Sequence, residues 1–126
     1  MTAGTLNIVI EQGATFRKKI TWTDDSGPPP LAGVAIDLTG YTARLHIRNE
    51  LEDADPPLVA LTEVANAQGQ LILGGILGTI EILIFDTHTT TLSHDGGVYD
   101  LELESAGGET TRLLSGTAKL TLEVTR

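Results

Sequence analysis

Apolar and polar residues alternate with a period of two along most of the chain, the spacing that lines apolar side chains along one face of a pleated strand. Leu6, Ile8 and Ile10 alternate with Thr5, Asn7, Val9 and Glu11; beyond Gln12-Gly13, Phe16, Ile20 and Trp22 alternate with Arg17, Lys19 and Thr21. This predicts two strands paired across a turn. Lys18 interrupts the apolar face of the second, which predicts an edge or rim position where its stem packs and its ammonium stays in water. Asp24-Asp25-Ser26-Gly27-Pro28-Pro29-Pro30 combines turn formers with prolines that lack an N–H donor, so a surface loop follows.

Val34 to Leu38 is a short apolar run closed by Thr39-Gly40, and Tyr41, Ala43, Leu45 and Ile47 then alternate with Thr42, Arg44, His46 and Arg48 as a further strand. Glu50, Glu52, Asp53 and Asp55 ahead of Pro56-Pro57 predict a solvated loop from Asn49 to Pro57, through charge repulsion and missing donors. Leu58 to Val64 reads as a strand, Asn66-Ala67-Gln68-Gly69 as a turn, and Leu71 to Leu73 as the strand after it. From Thr79 to Phe85, Ile80, Ile82 and Ile84 share one face while Leu83 and Phe85 take the other, which predicts a strand buried on both faces at its end. Asp86 is placed to cap one helical turn over Thr87 to Leu92, where β-branched threonines resist a longer helix. After a turn at Ser93-His94-Asp95-Gly96-Gly97, Tyr99, Leu101 and Leu103 alternate with Val98, Asp100, Glu102 and Glu104. Ser105 to Glu109 reads as a hairpin loop returning through Thr110 to Leu114. Ala118, Leu120, Leu122 and Val124 form the last strand. Short strands, tight turns and no long helical period predict an antiparallel sandwich or barrel and not a βαβ fold, with the sandwich as the expectation.

Composition narrows what such a domain does. A length of 126 residues suits one domain, 1–126. Seventeen acidic against eight basic residues give a net charge of −9, which leaves no basic footprint for nucleic acid. No apolar stretch reaches the eighteen or so residues of a membrane span, and the start lacks the basic region of a secretory leader. There is no cysteine, hence no disulfide framework, thiolate nucleophile or cysteine zinc site.

The chemistry-bearing residue types do not assemble into sites. Ser93-His94-Asp95 holds the residue types of a hydrolase triad, but adjacent residues do not point three groups along one relay. Gly74-Gly75-Ile76-Leu77-Gly78 precedes a strand, whereas a phosphate loop opens a helix. His46, His88 and His94 with Asp86 and Asp95 lack metal-ligand spacing, and the pairs Asp24-Asp25 and Asp53/Asp55 lack the twelve-residue calcium pattern. Asp100, Glu102 and Glu104 fall on a solvent face, not around a scissile bond. Trp22 and Tyr41 are candidate sugar platforms in a chain only 4% aromatic. No catalytic, cofactor-binding or metal-ligating residue is assigned, and no enzyme activity or cofactor is expected.

The order of several short segments is distinctive. Gly78-Thr79-Ile80, Asp86 to Leu92, Gly97-Val98-Tyr99-Asp100-Leu101-Glu102-Leu103, Arg112-Leu113-Leu114-Ser115-Gly116-Thr117 and the close Glu123-Val124-Thr125-Arg126 resemble small bacteriophage and prophage virion proteins. Ile10 to Phe16, Ile20-Thr21-Trp22 and Leu38 to Arg48 are similar to the opening of the same proteins and to the N-terminal domain of phage baseplate upper proteins. The resemblance spans nearly the whole chain and supplies no catalytic motif. It implies a structural component of a bacteriophage tail, a baseplate or tail-fibre adaptor located in the virion and, during assembly, in the host cytoplasm.

The expectation is therefore an all-β protein, an antiparallel immunoglobulin-like β-sandwich of about eight short strands with at most one short helical turn. Its expected partners are other phage tail or baseplate proteins, with homo-oligomerisation compatible but specified by no heptad or apolar stripe, and neither nucleic acid nor membrane. Arg17, Lys18 and Lys19 are the candidate partner-binding residues, by attraction to an acidic patch. The alternative is a carbohydrate-binding or host-adhesion module, since sandwiches carry such sites on loops or faces.

Overall fold

The structure, a computed structural model, describes residues 4–24, 34–49, 57–92 and 96–122. Asp25 to Pro30, Glu50 to Pro56, Ser93-His94-Asp95 and Glu123 to Arg126, on which several of the expectations above fall, lie outside the described residues. In chain order the strands are β1 (Gly4–Thr5), β2 (Ile8–Glu11), β3 (Phe16–Thr21), β4 (Thr23–Asp24), β5 (Val34–Ala35), β6 (Thr42–Arg48), β7 (Val59–Thr62), β8 (Gly69–Leu73), β9 (Thr79–Ile84), β10 (Gly96–Glu104) and β11 (Thr110–Thr121). Eight of these run for four residues or more. A 3-10 turn at Gly75–Leu77 joins β8 to β9, and one α-helical turn, α1 (Asp86–Thr89), joins β9 to β10.

The strands form two facing sheets. The larger has the order β1-β11-β10-β6-β7, with β2 also paired to β11; the smaller has the order β3-β9-β8, and β4 and β5 make a separate two-residue ribbon. Alternation decides what lies between the sheets. Ala43, Leu45 and Ile47 of β6, Tyr99, Leu101 and Leu103 of β10 and Ala118 and Leu120 of β11 are buried on the inner side. They face Leu71 of β8 and Ile80, Ile82 and Ile84 of β9, each of the four at 0% exposure. Central strand β9 is buried on both faces at its end, where Leu83 also is only 8% exposed.

Four features differ from the pattern read along the sequence. First, β2 and β3 are not a hairpin. β2 pairs in parallel with β11, with Ile8 opposite Ala118 and Ile10 opposite Leu120, while β3 pairs with β9. The Gln12-Gly13 turn thus crosses from one sheet to the other, held to β11 by the Gln12 N–H donating to Thr121 O (2.9 Å) and further by α1 and the residues just after it. Gln12 Nε2 donates to Leu92 O (2.8 Å), Gly13 N–H donates to Thr89 Oγ1 (3.1 Å), and the fully buried Thr89 hydroxyl donates to Ala14 O (2.9 Å).

Second, the sheets are not purely antiparallel, because both β1 and β2 run parallel to β11. Between them the chain bends at Leu6 and Asn7. Leu6 N–H donates to Ser115 O (3.1 Å), Thr117 N–H donates to Asn7 Oδ1 (3.1 Å), and the buried Tyr99 hydroxyl donates to Leu6 O. The backbones pass so close that a Cβ at Gly116 would run into the Leu6 carbonyl. Burial pushes the Tyr99 phenol above its ordinary pKa.

Third, the segments ending at Leu114 and starting near Ala118 are one strand, β11. Leu101 pairs with Leu114 but Glu102 pairs with Arg112, so Leu113 is an extra residue in a β-bulge. The bulge shifts the inward-facing parity from odd to even positions, so one strand presents two alternations out of phase. Fourth, Asp86 is the first residue of α1 and Phe85 occupies the N-cap position; Asp86 Oδ1 accepts the Thr87 N–H (2.9 Å) from within the turn.

Candidate functional site

Arg17, Lys18 and Lys19 are consecutive on β3, which is the outer strand of the smaller sheet. All three are exposed. Among the described residues no strand pairs with β3 on the side away from β9. The phase of the open edge follows from Trp22, whose N–H donates to Gly78 O (2.8 Å). Backbone groups alternate in direction along an antiparallel strand. Phe16, Lys18 and Ile20 therefore turn theirs toward β9, and Arg17, Lys19 and Thr21 turn theirs outward.

Side chains alternate with the same period. Phe16, Lys18 and Ile20 stand opposite Ile84, Ile82 and Ile80, which are the inner-face residues of β9. Paired residues share a face of the sheet, so Lys18 projects toward the space between the sheets. It nevertheless remains exposed, because the sandwich is open along this side. Arg17 and Lys19 project to the outer face. There Arg17 donates to Glu81 Oε1 (2.7 Å), although its side chain is 61% exposed, so the pair contributes little to stability. Neither Lys18 nor Lys19 has an ion pair among the described residues.

The open side is a groove between the sheets. Ile20 and Trp22 form one wall, and Leu6, Leu113 and Leu114 the other. All five are half-buried and pack against the core. The Trp22 ring meets Tyr41 edge-on at a centroid distance of 6.1 Å, which packs the two candidate sugar platforms against each other. The prediction of an edge position for Lys18 therefore holds. The groove was hidden from sequence reasoning by the expected β2–β3 hairpin, which would have filled it.

A second exposed surface is the outer face of β6, β10 and β11, a shallow trough bordered by His46, Arg48, Asp100 and Arg112. It is internally paired: Arg44 Nε lies 3.2 Å from Glu102 and Arg112 Nε lies 3.6 Å from Asp100. His46 stands opposite Asp100 across the β6–β10 ladder. His88 is engaged elsewhere, its Nε2 2.9 Å from Leu58 O. Among the described residues no three histidine or acidic side chains converge as a metal site.

No protein-family model and no curated protein sequence matches the chain. Solved structures do. Tim-1 superposes over 100% of this chain and 99% of its own, with a TM-score of 0.53 at 13% identity. The fold is an immunoglobulin-like sandwich. Extracellular domains of the voltage-gated sodium channel β4 subunit, described as parallel homodimers, cover 98% of this chain and 97% of theirs at a TM-score of 0.49 and 13% identity. A further structure of sodium channel β subunits gives 0.48 at 14% identity, with 96% of each chain covered. Tyr99 and Leu101 are both buried in a chain without cysteine, so no disulfide joins the sheets.

Proposed function

We propose that this protein is a structural adaptor of a bacteriophage tail, at the baseplate or a tail fibre, and that it binds an acidic surface of a neighbouring protein along the open edge of β3. The observation that carries the docking part is the placement of Arg17, Lys18 and Lys19: three successive cations, two of them without an ion-pair partner among the described residues, on an edge strand of a chain with net charge −9. An acidic partner meets repulsion on average from such a chain, and steering toward this basic edge sets orientation as well as rate. The tail location rests on the segment resemblance.

Two measurements test the reading. Mass spectrometry of density-purified phage particles should find the peptides Leu113 to Lys119 and Leu120 to Arg126 at a fixed stoichiometry to the tail tube; their absence from intact particles removes the virion assignment. Lys18→Glu with Lys19→Glu should abolish capture of the tail partner, and retained capture removes the edge as the docking site. A host-adhesion or carbohydrate-binding role is the second reading, favoured by the half-buried Trp22 on the groove wall. It requires that cell-surface glycans change Trp22 fluorescence, and indifference to all of them excludes it.

A further inference from the structure

Within the docking reading above, on which this inference rests, Lys18 differs from its two neighbours. Arg17 and Lys19 face outward, where a partner of either shape reaches them through water. Lys18 lies on the inner side, in line with Phe16 and Ile20 and opposite the fully buried Ile82. A strand added to β3 takes its hydrogen bonds from the backbone of Arg17, Lys19 and Thr21. Its alternate side chains then enter the groove walled by Ile20, Leu6 and Leu114 and cover the Lys18 ammonium.

We propose that β3 accepts one extended segment of an acidic partner protein as an added strand, and that Lys18 selects a segment with Asp or Glu flanked two residues away on each side by apolar side chains. One apolar side chain meets the groove beside Ile20, the other packs on the half-buried Phe16, and the carboxylate meets Lys18. A covered ammonium without a counter-ion loses its hydration and gains nothing in return, so a neutral or basic residue at the central position is rejected. A second copy of the chain is rejected by the same rule. Two β3 edges pairing antiparallel would bring two Arg17-Lys18-Lys19 clusters together, with inward lysines among them. The occupant is therefore a partner of opposite charge, and main-chain addition makes alternate side chains its recognition code.

The test uses the isotope-labelled full chain and three capped synthetic heptapeptides. The first is Thr-Ile-Thr-Glu-Thr-Ile-Thr. The second has Lys in place of the central Glu. The third, Thr-Ile-Glu-Thr-Thr-Ile-Thr, has the composition of the first with the acid moved to the outward phase. The first peptide is expected to slow amide exchange at Arg17, Lys19 and Thr21, and to bind at least about tenfold more tightly than either of the others. Lys18→Glu is expected to invert the preference toward the Lys-centred peptide, with Lys18→Gln removing it; circular dichroism verifies that both variants fold. Equal binding of the first and third peptides, or a preference unchanged in Lys18→Glu, overturns Lys18 as the selector. If partner capture is nevertheless lost in Lys18→Glu/Lys19→Glu, the docking edge itself stands. If no peptide slows exchange along β3 and capture is also retained, both readings fall.

Discussion

Strands β7 and β3 both end a sheet, and their outer sides are treated in opposite ways. Along β7 the outward backbone is already taken at Ala60. Ala60 N–H donates to Gln68 Oε1 (2.7 Å) and Ala60 O accepts from Asn66 Nδ2 (3.1 Å). Asn66 is itself held, since its Oδ1 accepts the N–H groups of Gln68 (2.7 Å) and Gly69 (3.1 Å). One turn thus closes an edge with side-chain amides. Along β3 the backbone of Arg17, Lys19 and Thr21 has no strand beside it among the described residues, and three successive cations guard it. The N-terminal segment, which precedes β3 in the chain, is held on β11 and β10 by Ser115, Thr117 and Tyr99. An edge closed by hydrogen bonds refuses every partner, whereas an edge guarded by charge refuses most and admits one of opposite sign.

The strongest perturbation of this arrangement is at the lock on β11. Gly116→Val places a side chain where the Leu6 carbonyl lies, so stability is expected to fall by about 3 kcal/mol, the upper range for overpacking. Urea unfolding at unchanged m-value reads the loss, and exchange at Leu6 should rise with it. A cost near zero would mean that the N-terminal strand is not held where the bend puts it. Next in size is the closed edge. Asn66→Ala with Gln68→Ala strips both partners from Ala60 and removes the turn, at a cost of roughly 2 kcal/mol. Exchange at Ala60 should then approach that of the outward amides of β3, which erases the difference between the two edges; continued protection would show that the side chains are not what closes β7.

Much of this contrast was legible in the residues and part was not. The inner faces of β6, β9 and β10 follow directly from alternation, because each is a long strand with a strongly apolar side. Lys18 betrayed an edge by standing in an apolar phase. What alternation does not encode is the identity of a strand's neighbour. Ile8 and Ile10 bury the same face whether they pair with β3 or with β11, and the deciding contacts, from Leu6, Asn7 and Gln12 to residues as much as 110 positions away, are hydrogen bonds of polar groups. The bulge at Leu113 likewise turned one strand into two apparent ones. The acid turns and loops left no site to compare, since Asp25, Asp53, Asp55 and the Ser93-His94-Asp95 turn lie outside the described residues.

Tyr99→Phe tests the same lock more gently. It removes the hydroxyl that donates to Leu6 O and should cost about 1 kcal/mol. The pH dependence identifies the cause. Burial raises the Tyr99 pKa above its ordinary value of 10.0, so between that value and the higher folded one the native state binds a proton that the unfolded state has lost. Stability is then fully present below pH 10 and falls as pH rises through the folded pKa. The variant should be flatter than the parent above pH 10; parallel curves would exclude burial of this phenol as the source of the alkaline loss.

The smallest change in stability, and the most informative about the two edges, is expected from Lys18→Val. An exposed lysine on an edge strand contributes within about 0.5 kcal/mol, and valine suits a strand at least as well. Yet the substitution makes the inner side of β3 apolar from Phe16 to Trp22, directly beside the groove, and leaves the outward backbone as open as before. Sedimentation velocity should show concentration-dependent self-association where the parent stays monomeric, while Lys19→Val, which changes the outer face, should not. If Lys18→Val remains monomeric at the same concentrations, the inward ammonium is not what keeps the open edge single. If both variants associate, total charge matters and its direction does not. Association by Lys18→Val alone makes the phase of one residue the difference between a strand that awaits its partner and a strand that pairs with itself.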